Sequence, residues 1–212
     1  MMFADRTDAG VRLANVLMEY KGQSVVVYAL PRGGVVLGAQ VAVALGAPLD
    51  LILVRKIGHP DSPEYAVGAI AENGDVVFNP AEAIFLDSSW LSAAATKELQ
   101  EARRQRIVFL QDRVRIPATR KVAIIVDDGL ATGLTMEAAI EHVRKQQPSR
   151  VVVAVPVSAA ETADRLRSKA DEIVALHIPS GEFRAVGSFY RNFDQVTDAD
   201  VVALMESSRL PG

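Results

Sequence analysis

Short runs of almost unbroken apolar residues place the strongest constraint on the fold of this chain. Five such runs, rich in β-branched residues and without polar–apolar alternation, occupy positions 25–29, 49–54, 122–126, 151–157 and 173–176. Runs of this kind are typical of strands buried on both faces, as in parallel sheets covered by helices. Segments with helical spacing separate them, notably 35–45, 135–145 and 159–170. The pattern therefore predicts an α/β fold with a central, mostly parallel sheet flanked by helices.

Two more helices are predicted outside this alternation. The first covers 5–20 and begins at Asp5 or Thr7, and a long helix covers 89–115 with Ser89 as its cap. The long helix carries five arginines, which are Arg103, Arg104, Arg106, Arg113 and Arg115. We interpret them as a solvated face balanced by acidic residues, with an RNA- or phosphate-binding surface as the alternative.

Composition narrows the classes of function. The 212 residues include 23 Lys and Arg and 26 Asp and Glu, a net charge of −3, which does not favour general nucleic-acid binding. The chain has no cysteine, which excludes disulfides, thiolate metal sites and cysteine nucleophiles, and its three histidines are too widely separated to suggest a zinc site. No apolar run reaches the roughly 18 residues that span a bilayer. We therefore expect one cytoplasmic domain over residues 1–212, without membrane attachment.

The most informative motif is V-A-I-I-V-D-D-G-L-A-T-G-L-T at 122–135. An apolar strand brings Asp127 and Asp128 to its carboxyl end, which is where ligands bind in open α/β sheets. A turn of small residues and the start of a helix follow, and they form an anion site to which Thr132 and Thr135 add hydroxyl groups. Two carboxylates would repel a phosphate but suit ribose hydroxyls or Mg²⁺. The motif therefore predicts a sugar phosphate as ligand.

This motif lacks the lysine of a P-loop and the glycine spacing of a dinucleotide fingerprint. It resembles the binding motif for 5-phosphoribosyl-1-pyrophosphate (PRPP) of type I phosphoribosyltransferases, with an apolar strand, two acids and a T-G-x-T loop. Residues 30–34 (L-P-R-G-G) are similar to the pyrophosphate loop of that family, and Arg55 and Lys56 to its basic pair. The resemblance covers about residues 20–180. It implies the same fold and a non-proline cis peptide bond at or beside Arg32.

The resemblance implies a role for each of these loops. Asp127 and Asp128 would hold the ribose hydroxyls, directly or through Mg²⁺, which they would bind themselves or through water. The 5′-phosphate would be cradled by Ala131, Thr132, Gly133, Leu134 and Thr135. Pyrophosphate would be bound by Arg32, Gly33, Gly34, Arg55 and Lys56. The implied catalytic residues are Asp127, Asp128, Lys56 and Glu64.

Residues 57–64 are rich in turn formers and are predicted to form a loop. In the family this place belongs to a mobile lid that keeps water from the reacting centre. The stretch Ser62-Pro63-Glu64-Tyr65 is similar to the S-x-E-Y of adenine phosphoribosyltransferases, which makes Glu64 a candidate general acid or base. A plain surface carboxylate is the alternative for Glu64.

The resemblance implies that the terminal segments form a small hood that recognises the base. The N-terminal helix and the tail 181–212 would build it around the core. Because the tail is aromatic, Phe189 and Tyr190 are candidates for stacking on a base, and backbone groups near Val186 for reading its edge. The alternative is a tail that packs its aromatic rings on the core.

The resemblance implies a pentosyl-type glycosyltransferase of nucleotide metabolism. It would transfer the 5-phosphoribosyl group between PRPP and a small nitrogenous base, with Mg²⁺ as cofactor and release of pyrophosphate. A non-catalytic PRPP-binding regulator and an RNA-binding regulator on the same fold are the alternatives. A homodimer is expected by analogy with the fold. The identity of the base stays open, because Ala131 stands where hypoxanthine-guanine enzymes usually have an aspartate.

Overall fold

The strands of this protein form two separate sheets. Residues 2–208, which the computed structural model describes, contain eight strands: β1 (Val25–Ala29), β2 (Leu49–Leu51), β3 (Val54–His59), β4 (Ser62–Ala71), β5 (Val76–Phe78), β6 (Val122–Val126), β7 (Arg150–Val157) and β8 (Glu172–His177). Five of them form a fully parallel sheet in the order β2-β1-β6-β7-β8. The other three form an antiparallel sheet in the order β3-β4-β5. The predicted α/β fold with a central parallel sheet is confirmed.

Helices cover both faces of the parallel sheet. The same residues contain seven α-helices: α1 (Arg6–Val16), α2 (Gly33–Leu45), α3 (Pro80–Ala83), α4 (Ser88–Leu110), α5 (Leu134–Arg144), α6 (Ala160–Leu166) and α7 (Asp198–Ser207). Short 3₁₀ helices lie at Met18–Tyr20 and Val186–Phe189. No helix in this range is both long and apolar enough to cross a membrane.

Successive residues of the strands feed two hydrophobic cores, because side chains alternate between the faces of a sheet. Val27 and Ile124 pack with α1, α2 and α7 on one face. Val26 and Ile125 pack with α5 and α6 on the other face. All residues of β1 and β6 are buried, which explains their unbroken apolar runs.

The predicted loop at 57–64 is wrong, because most of this segment lies in a β-hairpin. β3 and β4 pair antiparallel up to His59 and Ser62, so only a short turn separates them. Ile57 is 1% exposed and packs with other apolar residues of the hairpin and of α4. This tertiary packing outweighs the turn-forming composition of the segment. The predicted strand 49–54 is likewise two strands, and Arg55 and Lys56 lie inside β3.

The helix boundaries show where local capping signals are reliable. Asp5 caps α1 by accepting a hydrogen bond from the Asp8 N–H, and it is one of the two residues predicted to begin this helix. α4 begins one residue before the predicted cap, because Asp87 caps it by accepting from the Trp90 N–H. It ends at Leu110 instead of 115.

The arginines of α4 and its following segment are not simply a solvated face. The Arg106 side chain is 12% exposed and pairs with Glu72 at 2.8 Å and Asp50 at 3.5 Å. Arg115 also pairs with Glu72, at 3.3 Å, whereas Arg104 pairs with Glu101 on the surface. Buried carboxylates therefore neutralise part of the positive charge that an RNA-binding surface would require.

The two ends of the described chain are joined by backbone hydrogen bonds. The Phe3 N–H donates to the Phe189 carbonyl, and the Arg191 N–H donates to the Phe3 carbonyl, both at 2.8 Å. The Asn192 N–H donates to Ala4 at 2.9 Å. The start of α1 and the tail therefore form one unit beside the carboxyl end of β6.

Candidate functional site

The acidic pair lies directly after β6, at the carboxyl edge of the parallel sheet. Asp127 and Asp128 are half-buried, and the Asp128 N–H donates to Oδ1 of Asp127 at 2.8 Å. Burial and the charge of Asp128 raise the pKa of Asp127, against the influence of Lys56 and Arg6. Burial also raises the pKa of Asp128, against a hydrogen bond from Arg6. Hydroxyl donors or a cation at this edge would stabilise the ionised pair.

The loop before α2 packs tightly against these carboxylates. An added Cβ at Gly33 would lie 1.9 Å from Oδ2 of Asp128, and one at Gly34 would lie 2.7 Å from the Val126 carbonyl oxygen. Only glycine therefore fits at both positions. The reason is the close approach of neighbouring atoms, since neither residue has a positive backbone φ angle. The Pro31–Arg32 peptide bond is cis, which confirms the expectation placed at or beside Arg32.

The predicted phosphate loop is held by α6. The Ala131 carbonyl accepts from the Thr162 hydroxyl, and the Thr132 carbonyl accepts from the Arg165 guanidinium. Gly133 has a φ of +72° and precedes α5, and an added Cβ there would lie 2.5 Å from a Thr162 side-chain carbon. The N–H groups of the first turn of α5 have no acceptor within the helix, so this end can bind an anion.

One cavity of about 840 Å³ joins parts of all three predicted loops. Its floor includes Pro31, Asp127 and Thr135. The opposite wall comes from the hairpin and α4, with Lys56, His59, Trp90 and Lys97. Asp128, Arg32, Gly33 and Gly34 are not among the lining residues, although Gly33 and Gly34 contact the acidic pair.

The basic residues predicted for pyrophosphate differ in their availability. Arg55 pairs with Glu98 at 3.0 Å and Arg32 pairs with Asp198 at 2.7 Å. Lys56 is exposed and has no carboxylate partner among the side chains that the structure describes. Lys56 is therefore the predicted cation best placed to meet a ligand in the cavity.

A second cavity, of about 800 Å³, lies on the other side of the phosphate loop. Ala131, Thr132 and Arg165 line it together with the aromatic rings of Tyr65 and Phe183. The two cavities are bounded by different residues of one loop, since Thr135 faces the first cavity and Thr132 the second.

The three tail residues proposed for base binding lie in different settings. Val186 packs on Gly129, beside the acidic pair, where an added Cβ would lie 2.6 Å from Cγ1 of Val186. Phe189 is half-buried, with its ring centroid 5.3 Å from that of Phe183. Tyr190 is 5% exposed, packs between Phe3 and Phe193, and donates its hydroxyl to the Asp128 carbonyl at 2.6 Å. The Tyr190 ring thus offers no free face to a base and follows the packing alternative.

Glu64 belongs to β4, but its side chain lies outside the described part of the structure. Its role as a general acid or base therefore stays a prediction.

Sequence reasoning missed three residues that hold the site. Nε of Arg6 lies 2.8 Å from Oδ2 of Asp128, and Thr162 and Arg165 hold the phosphate loop from α6. Arg6 is 122 residues from its partner, and no local pattern marks such a contact.

The donor set also bears on magnesium. Among the side chains that the structure describes, no group of three or more His, Cys, Asp or Glu could hold a metal ion. Mg²⁺ is usually held by one or two carboxylates together with substrate phosphates and water. Asp127 and Asp128 fit an ion held in that way.

Comparison with known proteins places this geometry in a family. A family model described as a phosphoribosyl transferase domain matches residues 8–185. The chain belongs to the type I phosphoribosyltransferase family. The crystal structure of TT1426 from Thermus thermophilus superposes with a TM-score of 0.82, at 42% identity over 98% of this chain and 99% of that one.

Two proteins of Mycobacterium tuberculosis, from strains CDC 1551 / Oshkosh and H37Rv, are 44% identical over 207 residues. Both are named as candidate phosphoribosyl transferases. The match covers 97% of this phosphoribosyltransferase-family chain, which spans about half the length of these curated relatives, 46% of each. The AQ2163 protein of Aquifex aeolicus shares the fold, with a TM-score of 0.50 at 14% identity over 80% of this chain and 73% of that one.

Proposed function

We propose that this chain is a Mg²⁺-dependent phosphoribosyltransferase that transfers the 5-phosphoribosyl group between PRPP and a nitrogenous base, with release of pyrophosphate. One observation carries the proposal. The acidic end of β6, the start of α5 and Lys56, which has no carboxylate partner among the described side chains, meet at a single cavity of about 840 Å³. A phosphorylated sugar needs these three kinds of group within one ligand length.

Each group has a binding role in this proposal. The loop 131–135 and the start of α5 take the 5′-phosphate through backbone N–H groups and the Thr135 hydroxyl. Ribose hydroxyls donate hydrogen bonds to Asp127 and Asp128, whose charge is otherwise poorly solvated. Lys56 and the backbone of Gly33 and Gly34 take the pyrophosphate.

The reaction then requires charge stabilisation and exclusion of water more than covalent help from the protein. As pyrophosphate leaves carbon 1, the carboxylates of Asp127 and Asp128 stabilise positive charge on the sugar ring, and Lys56 stabilises the leaving group. Mg²⁺, held by the acidic pair directly or through water, would supply further charge neutralisation on the phosphates. The hairpin and Trp90 of α4 cover the opposite side of the cavity and limit access of water.

The acceptor is proposed only as a class, a small nitrogenous base. Val186 beside Gly129 and the half-buried ring of Phe189 are the proposed contacts, and Glu64 is the proposed proton-transfer group. Tyr190 is not retained as a base contact, because its ring is enclosed. Cytoplasmic location, a role in nucleotide metabolism and a homodimer belong to the same proposal by analogy with the family.

A non-catalytic PRPP-binding regulator is the second candidate, and one observation favours it. Arg32 and Arg55 pair with Asp198 and Glu98, which leaves Lys56 as the predicted pyrophosphate cation without a described partner. A site with weakened contacts to the leaving group would bind PRPP without accelerating its departure.

Pyrophosphate release from PRPP distinguishes the two candidates. The full chain is incubated with PRPP and Mg²⁺ and with purine, pyrimidine or pyridine bases, beside a control without base. Base-dependent release supports the enzyme and names the acceptor class. Binding of PRPP in calorimetry without release with any base favours the regulator, and absence of both contradicts both candidates.

Lys56→Ala sharpens this experiment. It removes one charge-assisted contact, so we expect about a 10- to 100-fold weaker pyrophosphate affinity and a smaller change for ribose 5-phosphate. Lys21→Ala is the matched control, because Lys21 is an exposed lysine outside the cavity. Equal losses for both ligands would contradict the role assigned to Lys56.

A further inference from the structure

Arg6, the first residue of α1, is held by three contacts from two distant parts of the chain. Its side chain is 12% exposed, and its Nε lies 2.8 Å from Oδ2 of Asp128. One terminal nitrogen donates to the Asp194 carbonyl at 2.7 Å. The guanidinium carbon lies 3.7 Å from the centre of the Phe193 ring. Such a planar cation, stacked on a ring and hydrogen-bonded at two nitrogens, has little freedom to turn.

Asp128 is correspondingly held at its backbone carbonyl and at one carboxylate oxygen. Its backbone carbonyl accepts from the Tyr190 hydroxyl at 2.6 Å. Its carboxylate lies over Gly33, where an added Cβ would come within 1.9 Å of Oδ2 and 3.0 Å of Nε of Arg6. Arg6 therefore fixes one oxygen of Asp128 at the point where the loop before α2 and the tail meet.

Arg12 of the same helix forms an exposed ion pair, which serves as a comparison. Arg12 pairs with Asp8 four residues earlier, and its side chain is 44% exposed. Exposed pairs of this type contribute little to stability. The Arg6–Asp128 contact instead links positions 122 residues apart and has exposed fractions of 12% and 17%.

We propose that Arg6 is a positioning residue for phosphoribosyl transfer, which acts by holding the carboxylate of Asp128. The inference rests on the proposed function. Because Arg6 occupies Oδ2, the other oxygen is the one presented to a ribose hydroxyl. Because the same guanidinium is bound by Phe193 and Asp194 of the tail, the orientation of Asp128 depends on the seating of the terminal segments.

The test compares Arg6→Met with Arg6→Lys, and Arg12→Met serves as the control from the same helix. Methionine keeps the apolar stem and removes the charge, whereas lysine keeps the charge without the planar fork. We expect Arg6→Met to lower kcat/KM and PRPP affinity about 10- to 100-fold, as for loss of a charged hydrogen bond. Arg6→Lys recovers part of the loss, and Arg12→Met matches the wild type. Wild-type kcat/KM and PRPP affinity in Arg6→Met would overturn the proposal.

A double-mutant cycle separates positioning from mere stabilisation of the fold. If Arg6 acts through Asp128, Arg6→Met costs no further activity in an Asp128→Asn background. A residue that only stabilises the fold would instead lower the melting temperature and leave kcat and KM unchanged well below it. Full additivity of the two substitutions would therefore overturn the proposal. If Arg6→Met does not fold, Phe193→Leu is used in its place. We expect Phe193→Leu to lower kcat/KM about threefold or more in the wild-type background and to have no effect in the Asp128→Asn background.

A measurement without PRPP keeps this inference distinct from the proposed function. The Nε–H resonance of Arg6 in the free protein reports the contact directly by NMR. Asp128→Asn should move that resonance, whereas Asp8→Asn should not. An unmoved resonance would overturn the contact even in an active enzyme. A moved resonance in a chain that neither binds PRPP nor releases pyrophosphate would instead contradict the proposed function.

Discussion

The two walls of the cavity are built in different ways. The sheet wall, with β6 and α5, belongs to a parallel sheet whose central strands are buried on both faces by two hydrophobic cores. The hairpin wall, with β3 to β5 and α4, rests on smaller clusters, in which Ile57, Val67 and Ile70 pack with α4 and Ala69 and Val77 pack with α5. Only the later part of α4, with Phe109 and Leu110, belongs to the first of the two large cores. The proposed phosphate and ribose groups lie on the first wall, and Lys56 lies on the second.

This difference indicates that the two walls have different roles in the site. A wall with an extensive core keeps Asp127 and the start of α5 in place, as binding of a sugar phosphate requires. A wall that rests on smaller apolar clusters opens at a lower cost in free energy than the whole domain does. We therefore expect the hairpin wall to move first, and the predictions below test that difference.

The largest effect is expected at the point where the loop before α2 meets the acidic pair. In Gly33→Ala the new methyl group would lie 1.9 Å from Oδ2 of Asp128, so the carboxylate must move away. We expect kcat/KM to fall by at least about 100-fold. Gly181→Ala is the control, because an added Cβ there meets nothing within 4 Å. A Gly33→Ala variant with wild-type kinetics would contradict the assigned geometry.

A matched pair of core substitutions compares the walls directly. Ile124 of β6 is 0% exposed and Ile57 of β3 is 1% exposed, and each change to Ala removes the same atoms. Ile→Ala changes in cores cost about 2–5 kcal/mol. We expect Ile124→Ala to lower the free energy of unfolding near the upper end of this range, and Ile57→Ala near the lower end.

Hydrogen exchange should show where each of these losses falls. Ile57→Ala should speed exchange mainly in β3, β4 and β5, whereas Ile124→Ala should speed it throughout the parallel sheet. Equal acceleration everywhere in Ile57→Ala would mean that the two walls unfold together.

The same contrast decides how much could be predicted from sequence. The parallel strands were predictable because burial on both faces leaves an unbroken apolar run, as in 122–126. The hairpin was not, because β3 has mixed burial and its glycine, histidine and proline neighbours resemble a turn. Its strands are stabilised by contact with α4, a separate element later in the chain, and local propensity carries no trace of that contact.

The residues of the candidate site also differ in how well the sequence predicts them. Asp127, Asp128 and the phosphate loop follow one strand within a dozen residues, so a local motif was sufficient to predict them. Arg6 reaches Asp128 from the other end of the chain, and Tyr190 turned inward to pack on Phe3. Contacts between distant segments of this kind depend on the completed fold and leave no periodicity in the sequence.

An intermediate effect, with opposite signs for stability and activity, is expected for Asp127→Asn. Burial and the neighbouring charge raise the pKa of Asp127, so the ionised group destabilises the folded state above its pKa. The favourable contribution of the protonated acid is present at low pH and is lost as pH rises through the raised pKa. Asparagine keeps an acceptor for the Asp128 N–H and carries no charge.

We therefore expect Asp127→Asn to raise the melting temperature at pH 8 by a few degrees and to lower kcat/KM by about 10- to 100-fold, as for loss of a charged contact to the ligand. Calorimetry at pH 8 and pH 5 measures the difference, which should shrink at pH 5 because the wild-type acid is then closer to neutral. A lower melting temperature for the variant at pH 8 would contradict this assignment.

The smallest effect concerns the ion pair that ties the hairpin wall to α5. Lys145 pairs with Asp75 near the β4–β5 turn, and its side chain is 65% exposed. Lys145→Met should lower the free energy of unfolding by at most about 1 kcal/mol, since exposed pairs contribute little. The local effect should exceed the global one, because the pair bridges the two walls. Faster hydrogen exchange in β5 with an almost unchanged melting temperature would show that the hairpin wall opens on its own, whereas unchanged exchange would mean that apolar packing alone holds it.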